Sequence, residues 1–106
     1  MNKISRYKEL IEKESYYEAH EVLEELWFPI RKRKDDYTLT LKGFINAAVS
    51  LELYKRDKLE QSKKIYKVYI KYVTNSRINT IDIADSFSDL KLFIDEKFDL
   101  LNLNNK

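Results

Sequence analysis

Set out at helical steps of about 100° per residue, the apolar residues of this chain collect on one side in four or five successive segments, the pattern of amphipathic helices. Near the start, Ile4, Tyr7, Leu10 and Ile11 share a face, which predicts a short helix ending around Glu14. Ser15 and Glu18 match the Ser-x-x-Glu capping box, so a second helix is expected from Tyr16. On it Tyr16, Ala19, Leu23, Leu26 and Ile30 form the apolar stripe, with Trp27 at its margin. Pro29 should stop or kink this helix, because the ring removes an amide hydrogen and restricts Phe28. The polar run RKRKDD that follows reads as a solvated connection.

A third helix is expected from about Leu39 to Arg56, with Leu41, Phe44, Ile45, Ala48 and Leu51 on one face. Gly43, Ala47, Ala48 and Ser50 are small enough to let a neighbouring helix come close, which makes this the central helix. A fourth, from about Leu59 to Thr74, turns Leu59, Ser62, Tyr66, Tyr69, Ile70 and Val73 inward and gathers Lys63, Lys64, Lys67 and Lys71 on its other side. The stretch NSRINTIDIAD reads as an ordered loop, after which Asp85 or Ser86 should cap a last helix through about Leu101. The core face of that helix is read as Phe87, Leu90, Phe93 or Ile94, the stem of Lys97, and Leu101. These elements predict an all-α fold, a compact bundle of four to five helices forming one domain over residues 1–102, with a frayed tail at 103–106.

Composition narrows the chemistry. A chain of 106 residues is long enough for one core, and a single Gly and a single Pro favour long helices over many short strands. With no Cys, any metal must be held by His, carboxylates and water. No apolar run approaches the length of a signal peptide core or a membrane span, so a cytoplasmic protein without a membrane partner is expected. The net charge of +2 places any polyanion role on a local patch. Tyr66, Tyr69 and Tyr72 lie among lysines, but at helical spacing they read as core and interface aromatics, which argues against a nucleic-acid partner.

The candidate chemistry centres on the second helix, where His20, Glu24 and Trp27 fall in one line beside the apolar face. Glu18, Glu21 and Glu25 form a second line nearer solvent. A histidine and a carboxylate one turn apart can hold the same cation, or the carboxylate can orient the imidazole as a general base. The plainer reading is a hydrogen bond at the edge of the core. Glu52 is the other oddity, because it falls in the middle of the apolar stripe of helix three, where an ionised carboxylate needs a partner. If helices two and three pack antiparallel, His20, Lys55 or a tyrosine hydroxyl can supply one, and a cluster of His20, Glu24 and Glu52 is the expectation; alternatively Glu52 sits at the rim beside Lys55.

The pattern Tyr16, Tyr17, Glu18, Ala19, His20, Glu21, Glu24, Trp27, followed by Gly43, Phe44, Ile45, Asn46, Ala47 and Ala48, resembles the family called domain of unknown function 309. The resemblance covers roughly residues 3–75. It implies a small all-helical protein of a group labelled predicted metal-dependent hydrolases. Members often carry a histidine at the end of the second block, followed by a Gly-Asn turn; Glu52, Leu53, Asp57 and Lys58 stand there instead. His20 is then the sole nitrogen ligand, and Glu52 as an oxygen ligand would suit Mg²⁺ or Mn²⁺. Two readings follow. In one, His20, Glu24 and Glu21 are catalytic, His20, Glu24 and Glu52 hold a divalent metal, Trp27 contributes to binding, and the reaction is metal-dependent hydrolysis. In the other, the same residues form a structural network in a non-catalytic, self-associating helical module, a homo-oligomer.

Overall fold

The structure, a computed structural model, describes residues 2–75 and 84–103, and every described secondary-structure element is helical. Helix α1 spans Lys3–Glu12 and is capped by Asn2, whose side chain accepts the Ser5 amide at 2.8 Å. Helix α2 spans Tyr16–Trp27, and a short 3-10 turn over Phe28–Ile30 carries the chain past Pro29, where the ring was expected to end the helix. Helix α3 spans Asp36–Lys55, α4 Leu59–Asn75 and α5 Ala84–Leu101. The loop expected over NSRINTIDIAD falls largely on residues 76–83, outside the described residues.

Two of the expected caps are corrected. Ser15 precedes α2, but its hydroxyl makes no capping hydrogen bond, so the Ser15–Glu18 box does not form. Its backbone is instead occupied in closing α1: Ser15 N–H reaches the Leu10 carbonyl at 2.8 Å after Glu14 turns the chain with φ 61°. At ψ 64°, Ser15 lacks the extended backbone that aims a capping hydroxyl at the new helix. Helix α3, in contrast, starts earlier than Leu39 because Asp35 caps it, its carboxylate accepting the Thr38 amide at 2.9 Å and the Thr38 hydroxyl at 2.6 Å. The last helix begins at Ala84, so Asp85 and Ser86 lie within its first turn.

Helix α3 is the centre, packed against α2 on one side and α4 on the other. The α3–α4 crossing is close because its residues are small. A Cβ added to Gly43 would stand 2.9 Å from Val73 Cγ1 and 3.2 Å from Tyr72 Cβ, so the helix can come this near only at glycine. One turn-pair further on, buried Ser50 and Ser62 bond reciprocally: each hydroxyl donates to the other residue's carbonyl at 2.8 Å. Helix α1 is fastened to the centre by Tyr7, whose hydroxyl donates to the Phe44 carbonyl at 2.6 Å. Burial pushes the Tyr7 phenol well above its ordinary pKa, which keeps the donor proton in place.

Helix α5 joins by rings. Phe98 meets Tyr66 with centroids 4.6 Å apart and Tyr69 at 5.5 Å, while Phe87 stacks on Phe44 at 6.0 Å. Its buried face is Phe87, Leu90, Ile94 and Phe98, so Phe98 takes the place expected of the Lys97 stem. Leu59 is 44% exposed and does not belong to the core, whereas Leu103, expected in the frayed tail, is buried. Among the described residues, no helix is long and apolar enough to cross a membrane.

Candidate functional site

Between α2 and α3 the packing leaves a half-open cavity of about 180 Å³. Helix α2 contributes Tyr16, Tyr17 and His20, and α3 contributes Ala48, Val49, Glu52 and Leu53. Arg56 and Lys58, from the turn into α4, stand at its edge. Ala48 is the shortest side chain of the lining and fills little of the space there. The lining is mainly apolar, so the few polar atoms that face it have little competition from water.

His20 is partly enclosed, its side chain 21% exposed. Its Nε2 lies 3.4 Å from Glu24 Oε2, and the Tyr17 ring lies alongside at 5.7 Å between centroids. Its Nδ1 is buried and has no hydrogen-bond partner, the single described side-chain atom in that condition. No hydrogen bond closes that 3.4 Å gap, but a proton on Nε2 suits the carboxylate, which can only accept, and in that tautomer of the neutral ring Nδ1 is a bare acceptor. A buried acceptor without a donor costs on the order of 1–3 kcal/mol.

Glu52 is also partly enclosed, its side chain 20% exposed, but its partner comes from its own helix: Arg56 Nε donates to Oε2 at 2.5 Å. Among the described residues no ion pair joins His20 to Glu52, and the expected partners Lys55 and a tyrosine hydroxyl do not bond it either. Lys55 turns away to donate to the Glu14 carbonyl at 3.0 Å, with its ammonium 5.8 Å from the Tyr16 ring. Burial, with smaller contributions from Glu14 and Glu52, pushes the Tyr16 phenol up to about 12, so it remains a donor at the wall of the cavity.

The structure therefore divides the expected site. His20 and Glu52 line one cavity with Tyr16. Glu24 reaches His20 from the other side and, with Glu21, borders a separate shallow depression that includes Glu25, Phe28 and Pro29. Glu21 is exposed there and does not reach the cavity. Trp27 packs half-buried at the core margin with the Lys42 ammonium 4.2 Å from its ring, and it does not line the cavity. Arg56 was not among the expected site residues, although its i+4 spacing from Glu52 is the usual helical ion-pair signal.

A family model described as Domain of unknown function (DUF309) matches residues 4–65. The chain belongs to this family. The matched span contains every residue that lines the cavity, and it stops within α4. No curated protein and no solved structure matches the chain.

The divalent metal expected at His20, Glu24 and Glu52 finds no ready donor group among the described residues of this DUF309 chain. Among the described residues no three His, Cys, Asp or Glu side chains come together as a group that could hold an ion. In the structure Glu52 is paired with the Arg56 guanidinium, and Glu24 stands beside His20 without lining the cavity. His20 and Glu24 alone supply two ligands, fewer than the three protein ligands that a catalytic zinc site keeps.

Proposed function

We propose that the α2–α3 cavity binds a small organic molecule, the His20 ring turning on binding so that Nδ1, enclosed in the empty protein, accepts a hydroxyl or N–H group of that ligand. The observation that carries this reading is the buried Nδ1 without a partner on a residue that lines an unfilled, mainly apolar space. A group that is costly in the empty protein and relieved by a ligand favours binding by the amount it was destabilised. The remaining features suit a compact ligand with an apolar body: Val49 and Leu53 for packing, the Tyr16 phenol as a donor, and the N–H groups of Arg56 that Glu52 does not use for an anionic substituent. The same geometry is that of a general base. In the turned ring Nδ1 can take the proton of a water as its oxygen bonds to a bound carbonyl carbon and the C=O π pair moves to oxygen; the imidazolium then returns the proton to the leaving group as its bond to that carbon breaks.

Two measurements test this. Long-range ¹H–¹⁵N spectra of the imidazole should place the proton of the neutral ring on Nε2. A fragment screen followed by backbone NMR should give shifts centred on Tyr16, His20, Val49 and Leu53, which disappear in Val49→Trp, where an indole occupies the cavity. A proton on Nδ1, or fragment shifts that survive Val49→Trp, defeats the assignment. The reading as a non-catalytic module gives His20 a purely structural role, and the stability of His20 variants separates the two.

A further inference from the structure

The outer faces of α2 and α4 carry opposite charge in the same spacing. The outer stripe of α2, continued into the 3-10 turn, is Tyr17, Glu21, the half-buried Glu24 and Phe28, and both aromatic ends of it are more than half exposed, Tyr17 at 59% and Phe28 at 58%. On α4 the stripe is Glu60, Lys64, Lys67 and Lys71, all exposed. Each stripe steps by four, three and four residues, so each is a straight seam about 16 Å long at 1.5 Å per residue. The α4 seam borders a half-open groove of about 630 Å³ whose apolar floor is Tyr66, Ile70 and Leu103. None of Lys64, Lys67 and Lys71 forms an ion pair with another described residue, unlike Lys3, Lys91 and Lys97.

The charges also fix a direction. In an antiparallel alignment Tyr17 meets Lys71, Glu21 meets Lys67, Glu24 meets Lys64, and Phe28 meets Glu60. Glu60 would be the one misplaced acid, but Arg31 stacks on the Phe28 ring at 3.7 Å and brings a cation to that end. In the parallel alignment Glu60 meets Tyr17 and neighbouring Glu18, while Lys71 meets Phe28 and Arg31, so like charges face each other at both ends. Exposed aromatics at the ends of the acidic seam match the apolar floor of the groove, which gives the contact a component that charge alone does not supply.

We infer that the acidic face of α2 in one copy of this chain docks antiparallel into the lysine groove of α4 in a second copy. The inference does not depend on a ligand in the cavity. Because α2 and α4 lie on different sides of α3, the two surfaces belong to different parts of the molecule and the contact is head-to-tail. Its affinity should fall steeply with salt, since the paired side chains are exposed and screened.

Sedimentation velocity of the purified chain at about 0.05 M and about 0.5 M salt provides the readout. The wild type should show a concentration-dependent, faster species at low salt that is lost at high salt. Glu21→Lys alone and Lys67→Glu alone should each abolish it, and both residues are exposed, so circular dichroism should be unchanged. An equimolar mixture of the two variants should regain it, because every Lys or Glu at position 21 then finds its opposite at position 67 of a neighbour, and the double variant should regain it by itself. A wild type that stays monomeric at low salt overturns the inference, whether the groove then takes an acidic protein of another kind or none. Association that survives either single reversal, or a mixture no better than its components, overturns it as well.

Discussion

Ser50 and Glu52 stand two residues apart on α3 and look in opposite directions, and their surroundings could hardly differ more. Ser50 faces α4, is fully buried, and exchanges hydrogen bonds with Ser62 so that both hydroxyls and both carbonyls are used. Glu52 faces α2 across a void, is bonded only to Arg56 on its own helix, and has for a neighbour the imidazole whose Nδ1 has no partner. A complete polar pair at a tight crossing holds two helices in register. An incomplete polar group beside open space adds nothing to stability and leaves a capacity unused until something enters. The difference distinguishes architecture from a site more sharply than residue type does, since serine is the residue more often associated with chemistry.

The comparison can be broken at several points. The largest effect belongs to the α3–α4 crossing: Gly43→Leu forces a side chain into a space where even a Cβ is 2.9 Å from Val73, and urea unfolding should show a loss of about 3 kcal/mol. Ser50→Ala and Ser62→Ala should each cost about 1 kcal/mol, with the double variant costing less than the sum because the two hydroxyls also touch. If either proves neutral, the serine pair is not what fixes the crossing. His20→Leu should raise stability by up to about 1 kcal/mol, since it removes a buried acceptor that had no donor and gives up only a partly exposed ion pair. A loss as large as that of the serine variants would make His20 an architectural residue and remove the contrast.

The smallest effect is a matter of pH. Tyr16 is pushed from the ordinary 10.0 up to about 12, so the folded state resists its ionisation. That contribution is fully present below pH 10 and is lost as pH rises toward 12, because the unfolded chain releases the proton first. Buried Tyr7 and Tyr69 shift in the same direction, so alkaline unfolding is not due to Tyr16 alone. The stability difference between wild type and Tyr16→Phe, followed by urea unfolding from neutral pH to about pH 12, should therefore shrink as pH rises. A constant difference would show that the phenol is solvated and not a wall of the cavity.

The helices were legible because their apolar spacing is strict, and the α3–α4 approach was legible from Gly43, Ala47 and Ser50. Helix starts were less so. Ser15 has the sequence of a capping box and Asp35 was read as connection, yet the second caps and the first does not. A cap depends on the backbone delivered by the preceding turn, which residue identity does not encode. At the site, the enclosure of His20 and Glu52 on facing helices followed from their positions at the edge and middle of apolar stripes. Glu52's partner was sought across the helix interface, although Arg56 one turn along reaches it without any tertiary contact. Phe98 was missed because the phase drifted by one residue toward Lys97; the spacing of Phe87, Leu90, Ile94 and Phe98 was sufficient to place it. The cavity itself could not be read at all, since a void depends on how far apart two backbones settle.

Three corners of the chain share a form. After α1, α3 and α5 the chain turns through Glu14, Asp57 and Asn102 with φ of 61°, 67° and 61°, and the next amide bonds five residues back to Leu10, Leu53 and Phe98. That left-handed position favours glycine, and a side chain there is held in a strained backbone. The only glycine of the chain is engaged elsewhere, at the crossing where no other residue fits. Thermal tolerance is thus adjustable at the periphery: Glu14→Gly and Asp57→Gly would relax two hinges of the scaffold, so a hardier version of the protein can be built by point changes at its corners without reshaping its interior.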